Sequence, residues 1–201
     1  MQVSVTGLNL GFKLGDKGIL AGTHELANRE GHYIGRFNIF AAAEDLNVNA
    51  SGTRTLLTFK NTAIELAERK IWLGHESCKL DFEHYEEQLL KGLKDGSTVG
   101  KWFIPTREML CGRNADGKNV WSENLYDLKN AGDFNKTFTT GSALTTVSGS
   151  SLAHWYWSST EHRDSADCVY AVDFTDGDAS WGGHKDGNCL SCRPCRVELV
   201  I

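Results

Sequence analysis

Tyr156-Trp-Ser-Ser-Thr-Glu161, Ala171-Val-Asp-Phe-Thr-Asp-Gly177 and Arg193-Pro-Cys-Arg-Val197 divide the last quarter of the chain into apolar blocks separated by polar ones. Trp, Tyr, Phe and Val favour strands, whereas the Gly, Asp, Ser, Asn and His between them favour turns. The pattern predicts short strands that hold up long polar loops, a rigid frame displaying a variable surface.

Residues 162–192 are narrow in composition even for a loop region. Lys, Glu, Gln, Met and Trp make up 35 of the 201 residues, so a stretch of 31 should hold about five of them; Trp181 and Lys185 alone occur. Those five types cannot arise from the Asn codon AAC by replacement of its adenines, whereas His, Arg, Asp, Ser, Gly, Cys, Leu, Tyr and Asn can. Turn chemistry offers a second explanation, since Gly, Asp, Asn and Ser suit turns for backbone reasons. Composition by itself leaves both open.

Upstream, Gly100-Lys-Trp-Phe-Ile-Pro-Thr-Arg-Glu-Met-Leu110 reads as a short strand carrying Trp102 and Ile104, stopped by Pro105. A helix follows that Thr106 caps and Glu108 supports through the dipole. Asp81 to Lys94 has Phe82, Tyr85, Leu89, Leu90 and Leu93 at the helical period, with Asp81 as N-cap and Gly96 beyond the end. A further helix is expected from about Asn61, and a short one over Ser122 to Lys129 with Leu125 and Leu128 inward; these stripes face the core. Residues 132–151 read as a loop or weak hairpin. Residues 41–54 read as a connection, although Ala41 to Leu46 could begin a short helix. Gln2-Val-Ser-Val-Thr6 and Tyr33-Ile-Gly-Arg-Phe-Asn-Ile-Phe40 alternate apolar and polar side chains. Residues 1–54 are therefore strands and turns, either within the same domain or as an assembly arm before a domain of residues 55–201.

With 40% apolar residues, 23% charged and a net charge of −5, the chain reads as a globular protein with enough length for a substantial core. The 21 Lys and Arg are scattered and outnumbered by 26 acids, so nucleic acid is not an expected partner. Residues 1–20 lack a basic region followed by an apolar core, and no stretch has the length of a membrane span. Neither the ordinary secretory route nor direct membrane insertion is expected.

Trp102-Phe-Ile-Pro-Thr-Arg-Glu-Met109, Tyr156-Trp-Ser-Ser-Thr-Glu161, Val172-Asp-Phe-Thr-Asp-Gly177 and Arg193-Pro-Cys-Arg196, in this order over about residues 66–201, resemble a bacterial, archaeal and viral family of C-type-lectin-like domains. Within it, residues 162–192 resemble the variable proteins of diversity-generating retroelements, in which template adenines are mutated during copying into the gene. The resemblance implies an α+β, C-type-lectin-like fold: helices packed on small antiparallel sheets with long loops, and a variable region over about 156–196. It implies a non-enzymatic protein without a cofactor, whose diversified surface binds a protein or glycan receptor. Location stays open: the missing signal peptide suits a virion component or a protein displayed on a surface by another export route, and also an intracellular protein.

By this logic Trp155, Trp157, Val172, Phe174, Trp181, Pro194, Arg196 and Val197 are framework. The exposed, variable, ligand-binding positions are His162, Arg163, Asp164, Ser165, Asp167, Tyr170, Asp178, Ser180, Gly182, Gly183, His184, Asp186, Gly187, Asn188, Leu190 and Ser191. Tyr, His and Arg supply contact area with polar tips, and Ser, Asn and Gly supply adaptable hydrogen bonding.

Competing chemistries rest on the cysteines and acids. Cys168, Cys189, Cys192 and Cys195 resemble a metal-ligand ladder, and a disulfide from Cys168 to Cys189 or Cys192 is a second use. If residues 189–195 are extended, Cys192 points away from Cys189 and Cys195, which argues against convergence. Asp173, Asp176 and Asp178 have the acidity for calcium without a complete loop of the EF type. The Glu-Pro-Asn and Trp-Asn-Asp signatures of calcium-dependent sugar binding are absent. No motif of the formylglycine-generating enzymes, which share the broad fold, is present beyond cysteine pairs. The alternative to a diversified binder is an invariant structural or adhesin domain with a Cys-based metal site.

Overall fold

β1 (Ile19–Ala27) and β2 (Tyr33–Ala41) form an antiparallel hairpin in the computed structural model, which describes residues 15–46, 55–68, 82–135, 137–138 and 152–200. The turn closes through Gly31 at φ +82°, whose N–H donates to the Asn28 carbonyl, while the His32 N–H donates to the Asn28 side chain. β2 also pairs with β6 (Cys195–Leu199), Phe37 opposite Leu199 and Ala41 opposite Cys195, in a sheet of order β1-β2-β6. Residues 19–41 are thus a hairpin built into one sheet with the C-terminal strand. Gln2 to Thr6 lies outside the described residues.

β3 (Trp155–His162), β4 (Ser165–Asp173) and β5 (Gly182–His184) make a second antiparallel sheet of order β3-β4-β5. Helices α1 (Phe59–Glu68), α2 (Tyr85–Asp95), α3 (Arg107–Cys111) and α4 (Leu125–Leu128) complete a mixed α+β architecture with two small antiparallel sheets. The core between them is aromatic. Phe59 meets Tyr85 edge-on at 5.3 Å and Trp157 at 5.8 Å, and Ile104 donates its N–H to Tyr85 Oη across 3.1 Å. Phe37, Phe103, Phe174 and Val197 are buried with them, each worth about 1.5–3 kcal/mol of transfer from water.

The local signals fare differently. Thr106 caps α3, its hydroxyl accepting from the Met109 N–H, and Gly112 ends the helix in the left-handed conformation. Gly96 ends α2 in the same way. For α4 the cap is Asn124, and Leu125 is buried. α1 begins at Phe59, two positions before the expected Asn61, because Thr58 Oγ1 accepts from the Asn61 N–H and the Phe59 ring is buried. α2 begins at Tyr85, and His84 before it makes no side-chain cap. Phe82 and Glu83 turn instead, because their carbonyls are taken by the Lys185 ammonium at 3.0 and 2.9 Å. Asp81, the expected cap, lies outside the described residues. Ala41 to Leu46 does not begin a helix; Ala41 closes β2, and Asp45 turns inward to Arg193. Residues 132–134 form a 3₁₀ turn, and residues 139–151 lie outside the described part.

Candidate binding face

Trp157 is the base on which the loop face stands. It is fully buried in β3, and its indole N–H donates to the Leu57 carbonyl across 2.9 Å. β5 lies directly on this ring, since a Cβ added to Gly183 would stand 2.6 Å from the indole. Phe174, at the end of β4, packs against Tyr156 at 4.5 Å and Phe138 at 4.8 Å. Two buried aromatic clusters therefore fix both ends of the sheet whose turns carry the candidate positions.

Three turns project from it, each organised by its own side chains. At the β3–β4 turn, His162 Nδ1 accepts from the Asp164 N–H at 3.3 Å, and the Arg163–Asp164 pair at 3.4 Å is too exposed to stabilise much. In the 174–181 loop, Asp173 Oδ1 accepts from the Thr175 N–H and Asp176 Oδ1 from the Asp178 N–H, at 2.7 and 2.9 Å. Asp178 Oδ1 accepts from the Ser180 N–H and hydroxyl at 2.9 and 2.8 Å. The Ser180 N–H, then its hydroxyl, holds the Asp178 carboxyl below the usual range. After β5, Asn188 Oδ1 accepts from the His184 N–H at 2.8 Å, and His184 Nδ1 from the Asp186 N–H at 3.2 Å. Such local bonds shape the backbone where no ladder does.

Arg163, Asp164, Asp167, Asp178, Ser180, His184, Asp186 and Gly187 are exposed, and His162, Ser165, Gly182 and Asn188 are half-buried. Four positions expected on the surface are interior, a correction with a separate cause in each case. Tyr170, 5% exposed, lies beneath the Arg107 guanidinium at 4.0 Å and beside His162 at 4.7 Å. Gly183 is pressed on Trp157. Leu190, 1% exposed, bridges to Leu57. Ser191 donates its hydroxyl to the Ala153 carbonyl at 2.7 Å and its N–H to the Trp155 carbonyl at 3.0 Å.

The framework positions are interior or partly so. Trp157, Val172, Phe174, Pro194 and Val197 are buried, Trp155 and Trp181 pack edge-on at 5.0 Å, and Arg196 is half-buried. Three positively charged framework residues escaped sequence reasoning. Lys185 is buried with its ammonium on Phe82 O, Glu83 O and Glu161 Oε1; Arg107 donates to the Ala179 carbonyl at 2.6 Å; Arg193 pairs with Asp45 at 2.7 Å. A signal existed for Lys185, one of the two residues in 162–192 outside the AAC-derived set. Arg193 stood inside a quoted motif, but its partner did not.

Cys168, Cys189, Cys192 and Cys195 are free thiols, which counts against the alternative of a disulfide from Cys168 to Cys189 or Cys192. Residues 192–194 are not a strand, and the alternation argument fails there: Cys192 and Cys195 are both core residues, and burial pushes both thiols up. Among the described residues no three His, Cys, Asp or Glu side chains come together in a metal-holding group, which counts against the cysteine ladder and the Asp173, Asp176, Asp178 series alike. No described helix is long and apolar enough to cross a membrane.

No protein-family model matches the sequence, and no curated protein matches it.

Proposed function

We propose that this chain is a non-enzymatic binding protein with a C-type-lectin-like scaffold, whose loop face over about residues 162–188 is diversified by retroelement-directed adenine mutagenesis and engages a protein or glycan receptor. The observation that carries the reading is how residues 162–192 divide. The two residues that an AAC codon cannot yield, Lys185 and Trp181, hold to the frame, Lys185 buried against the lead-in to α2 and Trp181 against Trp155. All of the exposed side chains, from Arg163 and Asp164 to His184 and Asp186, belong to the set such a codon can yield. A surface built this way separates binding from folding, because exposed substitutions typically change stability by less than about 0.5 kcal/mol.

The test is to sequence the 3′ end of this gene across many genomes of its source population, with the neighbouring template repeat. Differences should cluster in codons for residues 162–164, 167, 178, 180, 184 and 186–188, at template adenines. Gly183, Leu190 and Ser191 should vary little despite lying in the same stretch. A stretch as uniform as the rest of the gene would overturn diversification and leave an invariant structural or adhesin domain.

A further inference from the structure

Two kinds of side chain hold the loop face: framework residues, and candidate variable residues themselves. The framework residues pin single points. Arg107 donates to the Ala179 carbonyl at 2.6 Å, and the Lys185 ammonium donates to the Phe82 and Glu83 carbonyls at 3.0 and 2.9 Å.

Beside those pins the course of the chain depends on Asp178 and Asn188. Asp178 Oδ1 accepts from both the N–H and the hydroxyl of Ser180, at 2.9 and 2.8 Å, and no carbonyl of the described backbone takes that N–H. After β5, Asn188 Oδ1 accepts from the His184 N–H at 2.8 Å. The backbone bonds across the same turn are longer: the His184 carbonyl accepts from the Gly187 and Asn188 N–H groups at 3.3 and 3.2 Å. In both turns a side chain at a candidate variable position does what a ladder of backbone bonds does elsewhere.

What an AAC codon yields at such a position decides whether the bond survives. Asn, Asp, Ser and Thr among its products bring a short oxygen acceptor, whereas Phe, Leu, Val, Ile, Ala and Gly bring none. Arg163, Asp167 and Asp186 differ from Asp178 and Asn188 in this respect. Their side chains are exposed and make no hydrogen bond with the described backbone, so an exchange there alters only what the face displays.

We infer that Asp178 and Asn188 are positioning residues of the loop face: a changed codon at either redraws the turn that presents its neighbours, so the face varies in contour as well as in chemistry. The inference rests on the loop face being the diversified binding surface.

The experiment compares Cα chemical shifts and amide hydrogen exchange by NMR in the full chain and its single variants. Asn188→Ala should move the Cα resonances of His184 to Asp186, and Asp178→Ala that of Ser180, all beyond the sequence neighbours of the substituted residue. Exchange of the His184 or Ser180 N–H should speed up about fivefold, the ratio expected from the loss of one such bond. Asn188→Asp and Asp178→Asn keep an oxygen acceptor and should return both readings close to the parent values. Asp186→Ala should leave the His184 and Asn188 resonances in place. The Trp157 indole N–H reports on the frame and should hold its position throughout. Unmoved Cα resonances in both alanine variants, equal movement in the acceptor-keeping variants, or equal movement from Asp186→Ala would overturn the positioning role. Loss of the Trp157 signal in the alanine variants would overturn it as well, by placing Asp178 and Asn188 in the frame. The spectra require no sequence variation: moved turns with uniform codons would sink diversification and leave the positioning role, and unmoved turns with varied codons would sink the positioning role alone.

Discussion

Arg193 Nε donates to Asp45 Oδ1 across 2.7 Å, with both side chains sealed from solvent. Tyr156 Oη donates to the other Asp45 oxygen at 2.8 Å, and Arg193 passes its remaining N–H groups to Ala42 O, Ala43 O and Thr137 O beneath the Phe138 ring. One ion pair thus ties the exit of β2, the 137–138 turn, β3 and the approach to β6. Breaking it from one side leaves an uncompensated buried charge. Asp45→Ala should lower unfolding free energy by about 3–5 kcal/mol in a urea titration, whereas Asp45→Leu combined with Arg193→Met should lower it by less. Equal losses would show that shape rather than charge pairing holds this junction.

Gly183 and Gly187 make a matched comparison on the same face. A Cβ at Gly183 meets the Trp157 ring at 2.6 Å, while at Gly187 its nearest neighbour is His184 at 3.6 Å. Gly183→Ala should destabilise by about 1–3 kcal/mol, the usual range for overpacking a core. Gly187→Ala should stay within about 0.5 kcal/mol. Thermal unfolding of both variants measures the difference.

Glu86 predicts a pH dependence of stability. Burial pushes its carboxyl from 4.5 up to about 7, more than the Glu161 N–H it accepts from pulls it down. A raised folded value means the stabilising contribution is complete below the unfolded value and lost as pH rises through about 7, where the folded chain must hold a buried charge. Stability should therefore fall by up to about 3 kcal/mol between pH 5 and pH 8 on account of this group. Glu86→Gln keeps an acceptor for the Glu161 N–H and should flatten that part of the profile. A residual slope is expected from Glu108, which burial also pushes up.

The exposed acids of the loop face should not behave alike. Asp164 and Asp186 accept no hydrogen bond that shapes their turns from the described backbone, and Ala at either should change stability by less than about 0.5 kcal/mol. Asp178 accepts from both the N–H and hydroxyl of Ser180, so Asp178→Ala should cost about 1 kcal/mol and Asp178→Asn less. Calorimetry on the four single variants separates them.

Local chemistry was legible in the sequence where a residue acts on its own neighbourhood. Thr106 capped its helix, Gly96 ended another, and Leu125 and Leu89 faced the core, because each role depends on positions within about one turn. Trp157 and Phe174, framework positions on the strength of the resemblance, are both buried. Most misread positions depend on distant partners: Tyr170 on Arg107, Gly183 on Trp157, Leu190 on Leu57, Ser191 on Ala153, and Phe82 and Glu83 on Lys185.

By itself the sequence determined that the chain mixes short helices with strands, where the apolar blocks of β3 and β4 lie, and the polar loops between them, since periodicity and turn propensity are local properties. Only the tertiary structure decided that the 19–41 hairpin shares a sheet with β6, that Lys185 is an anchor, and which of the polar loop residues reach solvent. Those outcomes rest on groups such as Arg193 and Asp45, 148 residues apart along the chain. A buried charge must find its partner in three dimensions, and no local pattern records where that partner lies.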